Sequence, residues 1–173
     1  MKIRRATISD VTDLALLNRT VQEMHADAFP WRFRRDAPEQ VVAREFGTMI
    51  EAPSSYWIVA EEEQPVAFLS AEFREREESW CLESHRVCYL AGIMVAPAFR
   101  RRGIARALVA ALRREAESRR VNWIELDVWS FNEQARQVFI HLGFQAVMER
   151  MTLAAQQPDS ESHVSQKPSD DDA

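Results

Sequence analysis

The sequence predicts a single α/β domain (α+β in some schemes), with a mixed, mostly antiparallel sheet of six or seven strands flanked by about four helices. Three observations predict it. Short apolar or alternating runs are separated by turn residues, which marks strands. Between two of these runs, at 87–95 and 122–129, lies a stretch of helical period, so these two strands should be parallel and joined by a right-handed crossover. A chain of 173 residues with 46% hydrophobic content is also long enough for one sizeable core.

Taken in order, residues 2–7 alternate enough for a short first strand. Ser9-Asp10 then reads as an N-cap, after which Val11, Leu14, Ala15, Leu17, Val21 and Met24 recur at helical spacing. Pro30 and Pro38 bracket an irregular stretch, and a second helix runs from Pro38, a good first-turn residue, to about residue 50. Residues 56–60 form a strand, 61–65 turn the chain back, and 66–73 form its antiparallel partner. Residues 74–84 make a charged connection carrying Trp80, leading into a strand over 86–95. The helix from 104 to about 119 carries an apolar stripe of Ile104, Ala107, Leu108, Ala111 and Leu112. Over 122–129, Trp123, Glu125 and Asp127 alternate with Ile124, Leu126 and Val128. A short helix over 132–142 ends at Gly143, and 144–153 closes the sheet. Residues 1–153 thus form the domain. From 154 to 173 the chain lacks aromatics, holds a single valine and reads as a disordered acidic tail.

Composition excludes several classes. A net charge of −5 argues against general nucleic-acid binding, which needs a cationic face. No run approaches the ~18 apolar residues of a transmembrane helix, and the first residues lack the apolar run of a signal peptide. Cys81 and Cys88 lack metal-ligand spacing, so no metal is expected; both read as reduced, packed thiols of a cytoplasmic protein.

The densest signal follows the strand at 87–95. Pro97, the cationic run Arg100-Arg101-Arg102 and Gly103 lead into a helix that opens with Ile104, Ala105 and Arg106. The first N–H groups of a helix converge into an anion site. Arginines at a helix start oppose its dipole, so this cluster implies a multiply charged anion such as pyrophosphate. Arg100-x-x-Gly103-x-Ala105 resembles the Arg/Gln-x-x-Gly-x-Gly/Ala loop of the GNAT acetyltransferase superfamily, which binds acetyl-CoA. Downstream, Asn132-x-x-Ala135-x-x-x-Phe139-x-x-x-Gly143-Phe144 resembles that family's Asn-x-x-Ala-x-x-x-Tyr-x-x-x-Gly-Phe region.

The resemblance implies a GNAT-like domain that transfers acetyl from acetyl-CoA to a primary amine by direct attack. The alternative is a non-catalytic acyl-CoA-binding regulatory module. It further implies that the backbone of Ile93, Met94 and Val95 pairs with pantetheine, and that the loop from Arg100 to Arg106 holds the phosphates. Asn132 would contact CoA as well as capping its helix. An alkylammonium of pKa about 10.4 must lose a proton before attack, at about 4.6 kcal/mol at pH 7, so a general base is needed. Asp127 matches the position of a catalytic glutamate in the ribosomal-protein alanine acetyltransferases and is the first candidate, with Glu72 and Glu125 as runners-up. Phe139 stands where the family carries its acid tyrosine, so the thiolate leaves unassisted or takes a proton from water, Tyr89 or another group. His25, Phe29, Trp31, Phe33, Glu72 and Trp129 are candidate walls of the acceptor pocket. Acidic walls would suit polyamines or aminoglycosides and an open groove a peptide; both remain open here. A homodimer through the last strand is a family habit.

Overall fold

The computed structural model describes residues 1–155. Its elements are β1 (Lys2–Arg5), α1 (Val11–Ala28), α2 (Glu39–Glu51), β2 (Ser55–Glu61), β3 (Pro65–Arg76), β4 (His85–Val95), α3 (Ile104–Ser118), β5 (Trp123–Glu125) and α4 (Glu133–His141). The five strands lie in sequence order in one mixed sheet. The β1–β2, β2–β3 and β3–β4 pairs are antiparallel, and β4 and β5 run parallel across the α3 connection.

Strand alternation sorts the core onto two faces. Tyr56, Ile58 and Ala60 of β2, Ala67, Leu69 and Ala71 of β3, and Cys88 and Leu90 of β4 pack against Ile104, Leu108 and Leu112 of α3. The other face carries Trp57, Val59, Phe68 and Met94, covered by Leu14 and Leu17 of α1 and Phe46 of α2. β2 and β3 are therefore buried on both sides, which is why they read as nearly continuous apolar runs.

Leu90 and Met94 have the same parity yet face opposite sides of the sheet. The reason is a bulge: Ser70 pairs with Gly92 while Ala71 pairs with Leu90, leaving Ala91 extra. One inserted residue flips every side chain beyond it. Gly92 fits there because an added Cβ would meet Ser70 Oγ at 3.2 Å.

The start of α1 is held differently from expectation. Asp10 occupies the N-cap position but makes no cap bond into α1. Its carboxylate instead accepts both Nη atoms of Arg4 at 2.8 Å and the Thr7 backbone N–H at 2.7 Å. The Arg4 guanidinium holds the Asp10 carboxyl down at about 2.

Several expectations are corrected. Among the described residues the sheet has five strands rather than six or seven. β5 pairs for only three residues, Val87 with Trp123 through Tyr89 with Glu125, and 126–131 then leaves the sheet. Residues 144–153 form no strand, and Val147, Met148, Met151 and Leu153 stand exposed. Alternation alone does not make a strand: its N–H and C=O groups need a partner edge, and β5 offers a very short one. β3 extends to Arg76, shortening the charged connection to 77–84. Cys88 is buried, where desolvation pushes its thiol up to about 12, but Cys81 is exposed in that connection and packs against no core. Of the tail expected over 154–173, residues 156–173 lie outside the described residues. Among the described residues no helix is long and apolar enough to cross a membrane.

Candidate active site

The loop between β4 and α3 is shaped by its backbone. Arg101 and Gly103 both adopt left-handed conformations, with φ of 62° and 78°. Gly103 is the N-cap of α3, and no side chain caps that helix. Its carbonyl accepts the Ala107 N–H at 3.0 Å, so the N–H groups of Ile104, Ala105 and Arg106 precede the first intrahelical bond and stay free for a ligand. A Cβ placed on Gly103 would meet nothing within 4 Å, so the space in front of it is open. Arg100, Arg101, Arg102 and Arg106 are all exposed around it. Arg100 Nε donates to the Val95 carbonyl at 3.2 Å. Arg102 lies 3.6 Å from Glu62 and stacks on Phe99 at 5.2 Å. Free amides, open space and clustered guanidinium groups fit a pyrophosphate.

The brevity of β5 opens the sheet next to this loop. β4 keeps its β3 partner as far as Val95, but from Leu90 onward it has no strand on its other side. Ile93 and Val95 rest partly buried on the α3 core, and Met94 is buried on the opposite face. The edge that carries these three residues thus faces the gap left by the departing 126–131 segment.

Tyr89 and Asp127 meet across that gap. The Tyr89 hydroxyl donates to Asp127 Oδ2 at 3.0 Å, and the Arg74 guanidinium lies 3.9 Å from the Tyr89 ring centroid. Burial, and then the hydrogen bond and charge of Asp127, raise the Tyr89 phenol above its ordinary value, so it stays protonated at neutral pH. Glu72 pairs opposite Tyr89, which in turn pairs with Glu125, so the three sit in one row across the sheet. Both carboxylates already have cations: Arg74 Nε is 2.8 Å from Glu72 and Arg76 is 3.8 Å from Glu125. Asp127 is held by a neutral hydroxyl.

The candidate pocket residues gather around Trp129, two residues along the chain from Asp127. Trp129 touches Phe29 and Phe33, both with ring centroids at 5.2 Å, and His25 at 6.2 Å. Trp31 joins edge-on to Phe29 at 6.1 Å but is 70% exposed, so it forms the rim. Glu72 belongs to the neighbouring Tyr89 row rather than to this cluster. His25 Nδ1 donates to the Val21 carbonyl at 2.7 Å. Phe131 and Arg32 were not among the expected residues. Phe131 lies 5.5 Å from His25 and 5.6 Å from Phe29, and the Arg32 guanidinium stacks 5.1 Å from Trp129. The alternation of Trp129 with Phe131 was a signal for the first; nothing local distinguishes Arg32 from its neighbours Arg34 and Arg35.

Asn132 caps α4, its Oδ1 accepting from Ala135 N at 3.1 Å. Phe139 is turned inward, edge-on to Phe144 at 5.6 Å and partly buried against the α3 core. Two shallow grooves lie elsewhere, one of about 320 Å3 beside Arg86 and Trp123 and one of about 360 Å3 beside Arg5 and Tyr56. Among the described residues no three His, Cys, Asp or Glu side chains group as a metal site.

Comparison with known proteins finds the same fold elsewhere. The chain resembles a tetramutant of the BH1408 protein from Bacillus halodurans at 25% identity and TM-score 0.84, covering 89% of this chain and 99% of that one. It also resembles aminoglycoside N-acetyltransferase AAC(6')-Iy in complex with CoA, at 22% identity and TM-score 0.69, covering 91% and 95%. A third is aminoglycoside 6'-N-acetyltransferase AAC(6')-Ih from Acinetobacter baumannii, at 21% identity and TM-score 0.70, covering 91% and 99%. A search of the curated proteins found no match. The model of the acetyltransferase (GNAT) family matches residues 18–144, and the chain belongs to that family.

Proposed function

We propose that the protein is a cytoplasmic, acetyl-CoA-dependent N-acetyltransferase acting on a primary amine. The observation that carries this reading is the uncapped start of α3: free amides of Ile104 to Arg106 beside open space at Gly103 and four exposed arginines. In it, those amides and guanidinium groups hold the pyrophosphate, and the unpaired edge at Ile93, Met94 and Val95 offers hydrogen bonds to the pantetheine amides. Asn132 remains bound to its own helix and contributes from its other amide atom.

Bound acetyl-CoA supplies an activated thioester. Asp127 takes the proton from the acceptor ammonium, offsetting the deprotonation cost of about 4.6 kcal/mol at pH 7. Tyr89 holds Oδ2 of that carboxylate and so presents Oδ1 to the amine. The freed amine forms the new C–N bond as the C–S bond breaks, and the second proton of its nitrogen passes to water. The thiolate takes its proton from water or from Tyr89, because Phe139 has none to give and packs against Phe144. That same packing favours a second reading, a non-catalytic acyl-CoA-binding module. Residues 1–153 are the domain in either reading.

The test is calorimetric titration with acetyl-CoA, with and without a pool of amines, followed by assay of free thiol. Binding with thiol release supports the enzyme. Binding without release with any amine supports the module, and no binding overturns both. A homodimer belongs to the same proposal, supported by the exposed apolar side chains of Val147, Met148, Met151 and Leu153. Sedimentation equilibrium giving a monomer mass would overturn that part.

A further inference from the structure

We infer that the acceptor is a primary amine bearing an anionic group across an aromatic or large apolar body, with its anion on Arg32, its body against Trp129 and its ammonium at Asp127. This rests on the acetyltransferase reading of the same site.

The charges around the cluster select this chemistry. The loop over it carries Arg32, Arg34 and Arg35 against the single Asp36. Arg35 is neutralised by Asp27. Arg32 forms no ion pair among the described residues; instead its guanidinium is spread over Trp129 at 5.1 Å and Trp31 at 6.0 Å. Stacking fixes the plane of a guanidinium while leaving its N–H fork free for a carboxylate or phosphate. Nearby carboxylates are occupied: Glu72 by Arg74, Glu125 by Arg76 and Glu133 by Arg136. Asp127 alone among them is held by a neutral group. The site thus offers one carboxylate for one ammonium, and one oriented cation.

Spacing sets the body between the two charges. Asp127 and Trp129 are two residues apart, so their Cα atoms lie within about 7 Å, and the Arg32 guanidinium lies a further 5.1 Å from the Trp129 ring, so the ligand body lies along Trp129 between the two charges. Phe29, Phe33, Phe131 and His25 surround Trp129 and supply an apolar wall for such a ring. A polycation such as an aminoglycoside would find no second unpaired carboxylate in this row and would meet the Arg32 charge. Specificity here therefore includes a repulsive element.

The experiment compares tyramine, tyramine O-phosphate and the para-carboxylate analogue of phenethylamine with spermidine and kanamycin. Each is titrated calorimetrically into the acetyl-CoA-loaded full chain and into its Arg32→Gln variant, and thiol release is followed in parallel. The carboxylate or the phosphate member should bind at least about tenfold tighter than tyramine, and Arg32→Gln should bring that ratio close to one. Whichever anion wins identifies the group on Arg32. Equal or tighter binding of tyramine or a polycation overturns the inference, as does a ratio unmoved by Arg32→Gln or no binding by any member. The two proposals fail separately. Polycations turned over faster than anionic amines would overturn the acceptor class and leave acetyl transfer standing. Anion-selective binding without thiol release would keep the ligand class and overturn acetyl transfer.

Discussion

The α3 loop and the aromatic cluster are built in opposite ways. The loop is one contiguous stretch whose function resides in backbone: two left-handed residues, three free amides and a glycine with open space before it. The cluster is side chains from the end of α1, the following loop and the segment after β5, brought together from positions about a hundred residues apart. A backbone site recognises what every family member shares, because side-chain drift leaves its amides in place. A side-chain site is free to change with the acceptor. The difference teaches why family membership reaches the acetyl donor and stops short of the amine.

The largest test of that contrast is Gly103→Val. A β-branched side chain would fill the space in front of the amides and oppose a φ of 78°, so acetyl-CoA affinity should fall at least about 100-fold. The left-handed backbone adds a stability cost of about 1–2 kcal/mol, so a melting curve must accompany the titration. Unchanged affinity would break the loop assignment.

Asp127→Asn acts on the other region. Turnover at pH 7 should drop about 100-fold or more, with acetyl-CoA affinity retained. The loss should shrink as pH approaches about 10, where the amine deprotonates unaided. A loss independent of pH would make Asp127 a binding group rather than a base.

Asp10→Asn lies outside both regions and separates stability from site chemistry. The Asp10 carboxyl is lowered from 3.8 to about 2 by Arg4, so its contribution is full above about pH 4 and is lost as pH falls through about 2. The shift corresponds to about 2 kcal/mol. The variant should lose that much at neutral pH by denaturant unfolding, its stability should fall less steeply between pH 4 and pH 2, and its kinetics should be unchanged. An unaltered acid profile would mean that Arg4 is satisfied by Glu61 alone.

The smallest expected effect is that of Phe139→Tyr. The ring packs edge-on to Phe144 at the margin of the α3 core, so restoring the family's hydroxyl should change kcat by less than about twofold. A gain of tenfold or more would mean that thiolate departure limits turnover and that this position reaches the sulfur.

How much of this was legible beforehand follows the same division. Arg100, Gly103 and Ile104 could be read because a glycine before an apolar-striped helix is a local statement about φ and free amides. The bulge at Ala91 was foreshadowed by Gly92, a residue with no side chain inside an apolar strand. The 144–153 segment was misread because alternation records only which faces would be apolar, not whether an edge is there to pair with. Cys81 was misread as packed because free cysteines are usually buried, whereas the connection that carries it is exposed. Arg32 was missed since three of the four residues 32–35 are arginines, and only packing chooses which one stacks on Trp129.

By itself, then, the sequence determined the crossover unit, the uncapped glycine start of α3 and the family, all properties of residues adjacent along the chain whose conformations are set by local sterics and hydrogen bonding. Tertiary structure alone decided where β5 stops, that Tyr89 reaches Asp127 across 38 positions, and which arginine stacks on Trp129. Those outcomes depend on competition among distant partners for the same edge, ring or carboxylate, and no local pattern encodes the result of that competition.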